Sequence, residues 1–243
     1  MEGPVLKRIL LGVLMSVALA ACAQNGDAGA NTPTDTAVTS ATETTATESG
    51  WTATGAGETA AATATKETPM SFENKVAELH TSAGQIDIRF FPDVAPNHVK
   101  NFLELAQSGF YNGTKFHRVI PGFMIQGGDP NTKGGDPYLW GTGGSGKNVA
   151  AEVNSVKHKR GIVSMARSTD PNSASSQFFI MVADYPSLDN QYSAFGQVTK
   201  GMDVADKIVA ARTGPNNRPL EPTTIEKIVI RDAREDEKGP TPK

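Results

Sequence analysis

The sequence lacks most of the apparatus that marks the common enzyme classes. It has one cysteine, Cys22, in 243 residues, so no internal disulfide can form and any folded domain must be stable through its core alone. Its four histidines, His80, His98, His117 and His158, show no H-x-H or H-x-x-x-H spacing, and a zinc site needs several converging ligands. There is no G-x-S-x-G elbow for a serine hydrolase, and no carboxylate pair stands out for glycoside hydrolysis. Basic runs are missing too. The densest, Lys157-His158-Lys159-Arg160, reads as a solvated loop, and a formal net charge of -3 argues against electrostatic binding of nucleic acid. Long apolar runs are also absent: Ile9 to Ala20 gives only about twelve residues, too few to span a bilayer.

One glycine-rich stretch imitates a nucleotide site. Gly141-Thr142-Gly143-Gly144-Ser145-Gly146-Lys147-Asn148 satisfies G-x-G-x-x-G, and the P-loop spacing up to its last position. There Asn148 stands where a Ser or Thr hydroxyl should hold magnesium. The residues before it do not read as a buried strand and those after it are weakly patterned, so converging amides are not expected. The glycines instead predict a loop that runs close to a sheet. Asp129, Asn131 and Asp136 lie among glycines without the Glu that closes a calcium loop. No metal and no cofactor is expected.

What is present falls into four segments. Lys7 and Arg8 precede the apolar run, which ends in Leu19-Ala20-Ala21-Cys22. This resembles a bacterial lipoprotein signal peptide over residues 1–21, which implies that Cys22 becomes the lipid-bearing residue; a plain secretory signal with a chance cysteine is the alternative. Residues 22–70 are dominated by Thr and Ala with Trp51 as the one aromatic. No apolar period is sustained there, and the expectation is a disordered tether. The localisation that follows is a lipid anchor in a bacterial membrane, with the domain facing the periplasm or extracytoplasmic space. Ala23 after the cysteine, in place of Asp, leans toward an outer membrane.

Residues 71–234 carry the folded domain, and 235–243 a charged, frayed tail. Val76–Thr81 and Gln85–Phe90 alternate around Ser82-Ala83-Gly84, which predicts a hairpin. Asn97–Gln107 has helical spacing, as does Met202–Ala211. Short strands are predicted over 161–166, 177–182, 194–198 and 224–230. Many short strands with two helices give an all-β barrel or sandwich in one domain. At its centre, Phe116 to Asp129 places a cation, an aromatic, a thioether and a carboxamide around the Pro121-Gly122 turn. Parity groups Phe116 with Arg118 and Ile120, and Phe123 with Ile125, while Met124 and Gln126 face the other way. Two short strands would bring Arg118, Phe123, Met124 and Gln126 to one concave surface.

Phe116 to Asp129, Gly141-Thr142-Gly143-Gly144, Ser164-Met165-Ala166, Ser176-Gln177-Phe178-Phe179-Ile180 and Leu188-Asp189 through Phe195-Gly196 occur in the order seen in cyclophilins. The chain from about Val76 to Asp232 resembles this family of peptidyl-prolyl cis-trans isomerases. The resemblance implies a closed eight-stranded antiparallel barrel capped by two helices, with the site on an outer face. It implies Arg118 as the catalytic arginine and Gln126 as the glutamine that bonds the substrate backbone. Phe123, Met124, Phe179 and Leu188 would form the proline pocket. Ala166, Arg167 and Gln177 would line the groove beside it, Arg167 mainly through its backbone. The resemblance also implies His117 and Tyr192 as substrate contacts. Ser187 stands where eukaryotic members often have Trp, and Tyr192 where they have His, as in bacterial members. The implied partners are proline-containing unfolded or exported polypeptides, met by a monomer. A proline-binding chaperone or scaffold with incidental activity is the second class.

Overall fold

The computed structural model describes residues 72–243. The expected signal peptide, the expected lipid-bearing Cys22 and the expected tether lie outside them.

Eight strands, all antiparallel to their neighbours, form one sheet. They are β1 (Lys75–Thr81), β2 (Gly84–Phe90), β3 (Arg118–Ile120), β4 (Met124–Gly127), β5 (Ile162–Met165), β6 (Phe178–Met181), β7 (Ala194–Lys200) and β8 (Ile225–Asp232), in the spatial order β3-β4-β6-β5-β7-β2-β1-β8. The edge strands β3 and β8 do not pair with each other. The gap is stitched by backbone bonds from the segment before β3 to the start of β8: Gly113 N–H to Ile225 O, Ile225 N–H to Thr114 O and Phe116 N–H to Thr223 O, at 2.7 to 3.0 Å. The sheet therefore curls around a single core, and its edges are joined by these bonds instead of by a full ladder.

Alternation explains why the middle of this sheet has two buried faces. On β6, Phe178 and Ile180 point into the barrel with Phe102, Phe116, Val119, Ile125 and Phe195. Phe179 and Met181 point outward into a second apolar cluster with Phe91, Met124, Ile162 and Ala194. The core is aromatic: Phe178 meets Phe102 and Tyr111 edge-on at 5.4 and 5.8 Å between centroids. Helix α1 (Pro96–Gln107) covers one end of the barrel and α2 (Met202–Val209) packs Val204, Ala205 and Ile208 against it. The first turn of α1 has no local side-chain cap. Glu152 supplies one from a distance, accepting from the N–H of Asn97 (3.0 Å) and of His98 (2.9 Å).

Three expectations are corrected. Parity groups Phe116 with Arg118, but Phe116 is buried inside the barrel while Arg118 faces out, because the chain leaves regular strand geometry between the Lys115 bridge and β3. Likewise Phe123 does not share a face with Ile125. It closes the turn, its N–H bonded to Ile120 O at 3.0 Å, with Pro121 and a left-handed Gly122 (φ 73°) at the centre. β4 starts only at Met124, so Phe123 lands on the outer face. The tail is not frayed: Glu237 is buried against Arg231, and Arg89 donates to the carbonyl oxygens of Gly239 and Pro240.

Candidate active site

The outer face of β3, β4 and β6 forms the floor of a cleft of about 500 Å³. Ten of the residues singled out above line it together: His117, Arg118, Phe123, Met124, Gln126, Ala166, Arg167, Phe179, Leu188 and Tyr192. Gln177 lines an adjoining recess of about 190 Å³ that shares Gln126, Ala166 and Arg167 with the main cleft.

Register places the two polar residues at the centre. Arg118 pairs with Gln126 across β3 and β4, and its Nη1 donates to Gln126 Oε1 at 3.2 Å. Gln126 Nε2 donates onward to Gln177 Oε1 at 2.9 Å. Gln177 Nε2 in turn donates to the carbonyl oxygens of Gly141 (3.0 Å) and Gly143 (2.8 Å). The glycine-rich stretch is thus a buttress that fixes a side-chain relay through its carbonyls. It neither follows a strand nor opens a helix. Its close approach needs glycine at 143, where a Cβ would stand 2.2 Å from Asp129 Oδ1. Asp129 is fully buried and accepts from the N–H of Asn131 at 2.8 Å and from that of Gly141.

Arg118 has no carboxylate partner among the described residues, so most of its donors are free to meet a ligand. Burial draws its pKa down from the ordinary value, and Tyr192 pulls it partly back; a guanidinium stays charged at physiological pH all the same. His117 beside it is nearly buried, and neither ring nitrogen has a hydrogen-bond partner. Burial lowers its pKa, with Asp129 opposing, which keeps the ring neutral near pH 7.

The apolar wall comes from three places. Phe123 packs tilted against Tyr185 with ring centroids 4.4 Å apart, and its carbonyl oxygen accepts from Val182 N–H at 3.0 Å. Phe179 meets Tyr192 edge-on at 5.8 Å. The Arg167 guanidinium lies 4.7 Å over the Tyr192 ring and donates to Ser168 O at 2.9 Å, so this side chain is pinned as well as its backbone. Leu188 ends a short 3-10 turn, Pro186–Leu188.

Behind this wall sits His158, which corrects the solvated reading of its basic run. It is buried, stacked 6.3 Å from Phe179, with Nε2 2.9 Å from Ser164 Oγ and its backbone N–H on Asp189 Oδ1 at 2.8 Å. Burial lowers its pKa and the Asp189 carboxylate opposes. The His158 N–H is the largest influence holding Asp189 below its usual range. Sequence reasoning missed this residue, since one histidine among lysines carries no period. It also missed Tyr138, Trp140, Asn216, Asn217 and Arg218, which complete the cleft from two irregular loops. Trp140, in a loop with little other aromatic content, was the available clue.

Among the described residues no three His, Cys, Asp or Glu side chains gather as a metal site. The arrangement offers an apolar patch (Phe123, Met124, Phe179 and Leu188) beside a fixed cation and a carboxamide. Such a site can bind and twist a substrate, with no nucleophile in it.

Comparison with known proteins agrees. Residues 76–230 match the family described as cyclophilin type peptidyl-prolyl cis-trans isomerase/CLD. The chain is 44% identical over 155 residues to the Arabidopsis thaliana peptidyl-prolyl cis-trans isomerase CYP18-1, covering 63% of this chain and 93% of the relative. It is 46% identical over 165 residues to peptidyl-prolyl cis-trans isomerase A of Dickeya dadantii, covering 63% and 82%. A Cryptosporidium parvum cyclophilin type isomerase crystallised in the presence of the dipeptide Ala-Pro superposes with a TM-score of 0.59 at 33% identity, over 65% of this chain and 99% of that one. The chain belongs to the cyclophilin-type family and is a peptidyl-prolyl cis-trans isomerase.

Proposed function

We propose that this isomerase acts on exported polypeptides from a lipid anchor, as a monomer, and that Arg118 carries the catalysis. An X-Pro bond must lose amide resonance to rotate, against a barrier of about 18–20 kcal/mol. Unaided exchange takes tens to hundreds of seconds. No bond is made or broken, so the enzyme needs only to bind the twisted amide better than either planar form. On twisting, the proline nitrogen becomes pyramidal and gains a lone pair. The Arg118 guanidinium can donate to that lone pair, and the fork is held in direction by its bond to Gln126. Phe123, Met124, Phe179 and Leu188 grip the ring and exclude water, while Gln126 holds the substrate backbone.

The observation that carries this reading is the half-buried, carboxylate-free Arg118 at the edge of an apolar pocket. The test is proline-limited refolding of an unfolded client with wild type and with Arg118→Ala. Wild type should accelerate the slow phase and the variant should not. If wild type leaves that phase unchanged yet suppresses aggregation, the chain works as a proline-binding chaperone and the enzymatic account is wrong.

Cys22 after Leu19-Ala20-Ala21 supports the anchor, because several acyl chains hold a protein at a bilayer at about 0.8 kcal/mol per buried methylene. Cys22→Ser should then move the protein from the membrane fraction to the soluble extracytoplasmic fraction. Unchanged membrane retention would remove the anchor from the account.

A further inference from the structure

The cleft is basic although the chain is acidic. Arg118, Arg167 and Arg218 line it, and no Asp or Glu does, against a formal net charge of -3 for the whole sequence. One carboxylate acts on the cleft from behind, since Asp129 influences His117. It is fully buried, however, and spent on the N–H groups of Asn131 and Gly141.

The unassigned part of the cleft is built around Trp140. Arg218 lies 5.5 Å and Lys115 5.7 Å from the centroid of its ring. Lys115 is already engaged, its Nζ donating to the carbonyl oxygen of Thr132 at 2.5 Å, so Arg218 is the cation on this ring that is left to meet an anion. Arg218 is half-buried and has no carboxylate partner among the described residues, unlike Arg160 and Arg231, which are both paired. The Trp140 indole nitrogen is itself buried without a hydrogen-bond partner, so the cleft is offered the ring and the guanidinium laid on it. Asn216 and Asn217 also line the cleft, in the left-handed backbone that asparagine adopts readily (φ 60° and 55°). Tyr138 stands at the rim, 88% exposed. His117 links this end to the centre: it adjoins Arg118 in sequence, and both Asp129 and Arg218 act on it.

We infer that the Trp140–Arg218 end of the cleft is a subsite for an acidic side chain, so that the enzyme prefers prolines flanked within two or three residues by Asp or Glu. An extended peptide rises about 3.3 Å per residue, so such a side chain reaches beyond the proline pocket along the cleft. A guanidinium laid on an aromatic ring keeps its fork preorganised for a carboxylate. The inference rests on the isomerase reading of the same site.

The test uses short proline peptides that differ only in carrying Glu, Gln or Lys at the second residue on one side of the proline, then on the other. Isomerisation kcat/KM is measured with the full chain at low salt and at about 1 M salt, where the screening length falls to about 3 Å. On one side, Glu should exceed Lys by roughly three- to tenfold at low salt, and the gap should close at high salt. Arg218→Glu should erase or reverse the gap. Equal rates for Glu and Lys on both sides overturn the subsite, as does a gap that persists in Arg218→Glu. If that variant does not fold, as judged by circular dichroism, the wild-type salt series decides alone. Failure of wild type to accelerate any peptide is a separate outcome, and it removes the isomerase reading together with the subsite.

Discussion

Arg118 and Gln126 face each other as register partners on β3 and β4, and the arginine donates to the glutamine carbonyl at 3.2 Å. That bond orients the guanidinium and leaves its remaining donors toward the cleft. It also makes the arginine's aim depend on Gln177, which holds Gln126 at 2.9 Å. Gln177→Leu keeps the volume and removes the link. We expect kcat/KM to fall about tenfold, mostly in kcat, because a lost hydrogen bond of about 0.5–1.5 kcal/mol acts on orientation more than on binding. Kinetics within twofold of wild type would show that the relay does not position the arginine.

The glycine-rich loop should behave as part of the active site although it touches no reacting atom. Gly143→Ala puts a methyl group 2.2 Å from Asp129 Oδ1, so the loop must move and the carbonyl that holds Gln177 moves with it. A destabilisation of about 1–3 kcal/mol is expected, with a loss of kcat in the fraction that remains folded. Denaturant unfolding and the peptide assay measure the two effects separately.

His117 and His158 are both held below their ordinary pKa by burial, each against an opposing carboxylate. The unfolded chain therefore binds more protons than the folded one once pH falls through about 6.5. The stability due to the neutral rings is complete above that pH and is lost as pH drops toward their folded values. Urea unfolding between about pH 8 and pH 5 should show this decline, and His158→Gln should flatten it. A variant as steep as wild type would place the titration elsewhere.

The C-terminal residues hold the barrel's edge. Arg231 contacts Glu78 at 2.5 Å, Asp87 at 3.3 Å and Glu237 at 2.6 Å. Hydrogen bonds from Arg231, with help from Arg234, hold the Glu237 carboxyl at about 2. A lowered carboxyl stabilises above its unfolded value and ceases to as pH falls toward 2. Glu237→Gln should cost about 1–3 kcal/mol at neutral pH, and the difference from wild type should shrink in acid. Equal stability at neutral pH would mean that the tail is incidental.

Much of the site was legible because its residues lie on strands whose spacing is short-range. Arg118, Met124 and Gln126 fall on two strands joined by a Pro-Gly turn, and Phe179 on a run whose alternate residues serve two clusters. Legibility failed wherever the backbone left regular geometry. Phe116 and Phe123 swapped faces because one precedes its strand and the other closes a turn. Trp140 and Arg218 meet across 77 intervening positions of loop and barrel, a pairing that no period announces. His158 and the tail were misread because their partners, Asp189 and Arg231, are fixed by tertiary packing and not by neighbours in the chain.

The central claim is that the planar fork of Arg118, and not merely a positive charge, stabilises the twisted amide. Isomerisation of a proline peptide by Arg118→Lys tests it most directly, with kcat and KM resolved. The account predicts a loss of about 10²–10³ in kcat with KM little changed, the scale of one removed transition-state donor. A lysine variant that retains kcat within about threefold of wild type would contradict it, because charge alone would then suffice.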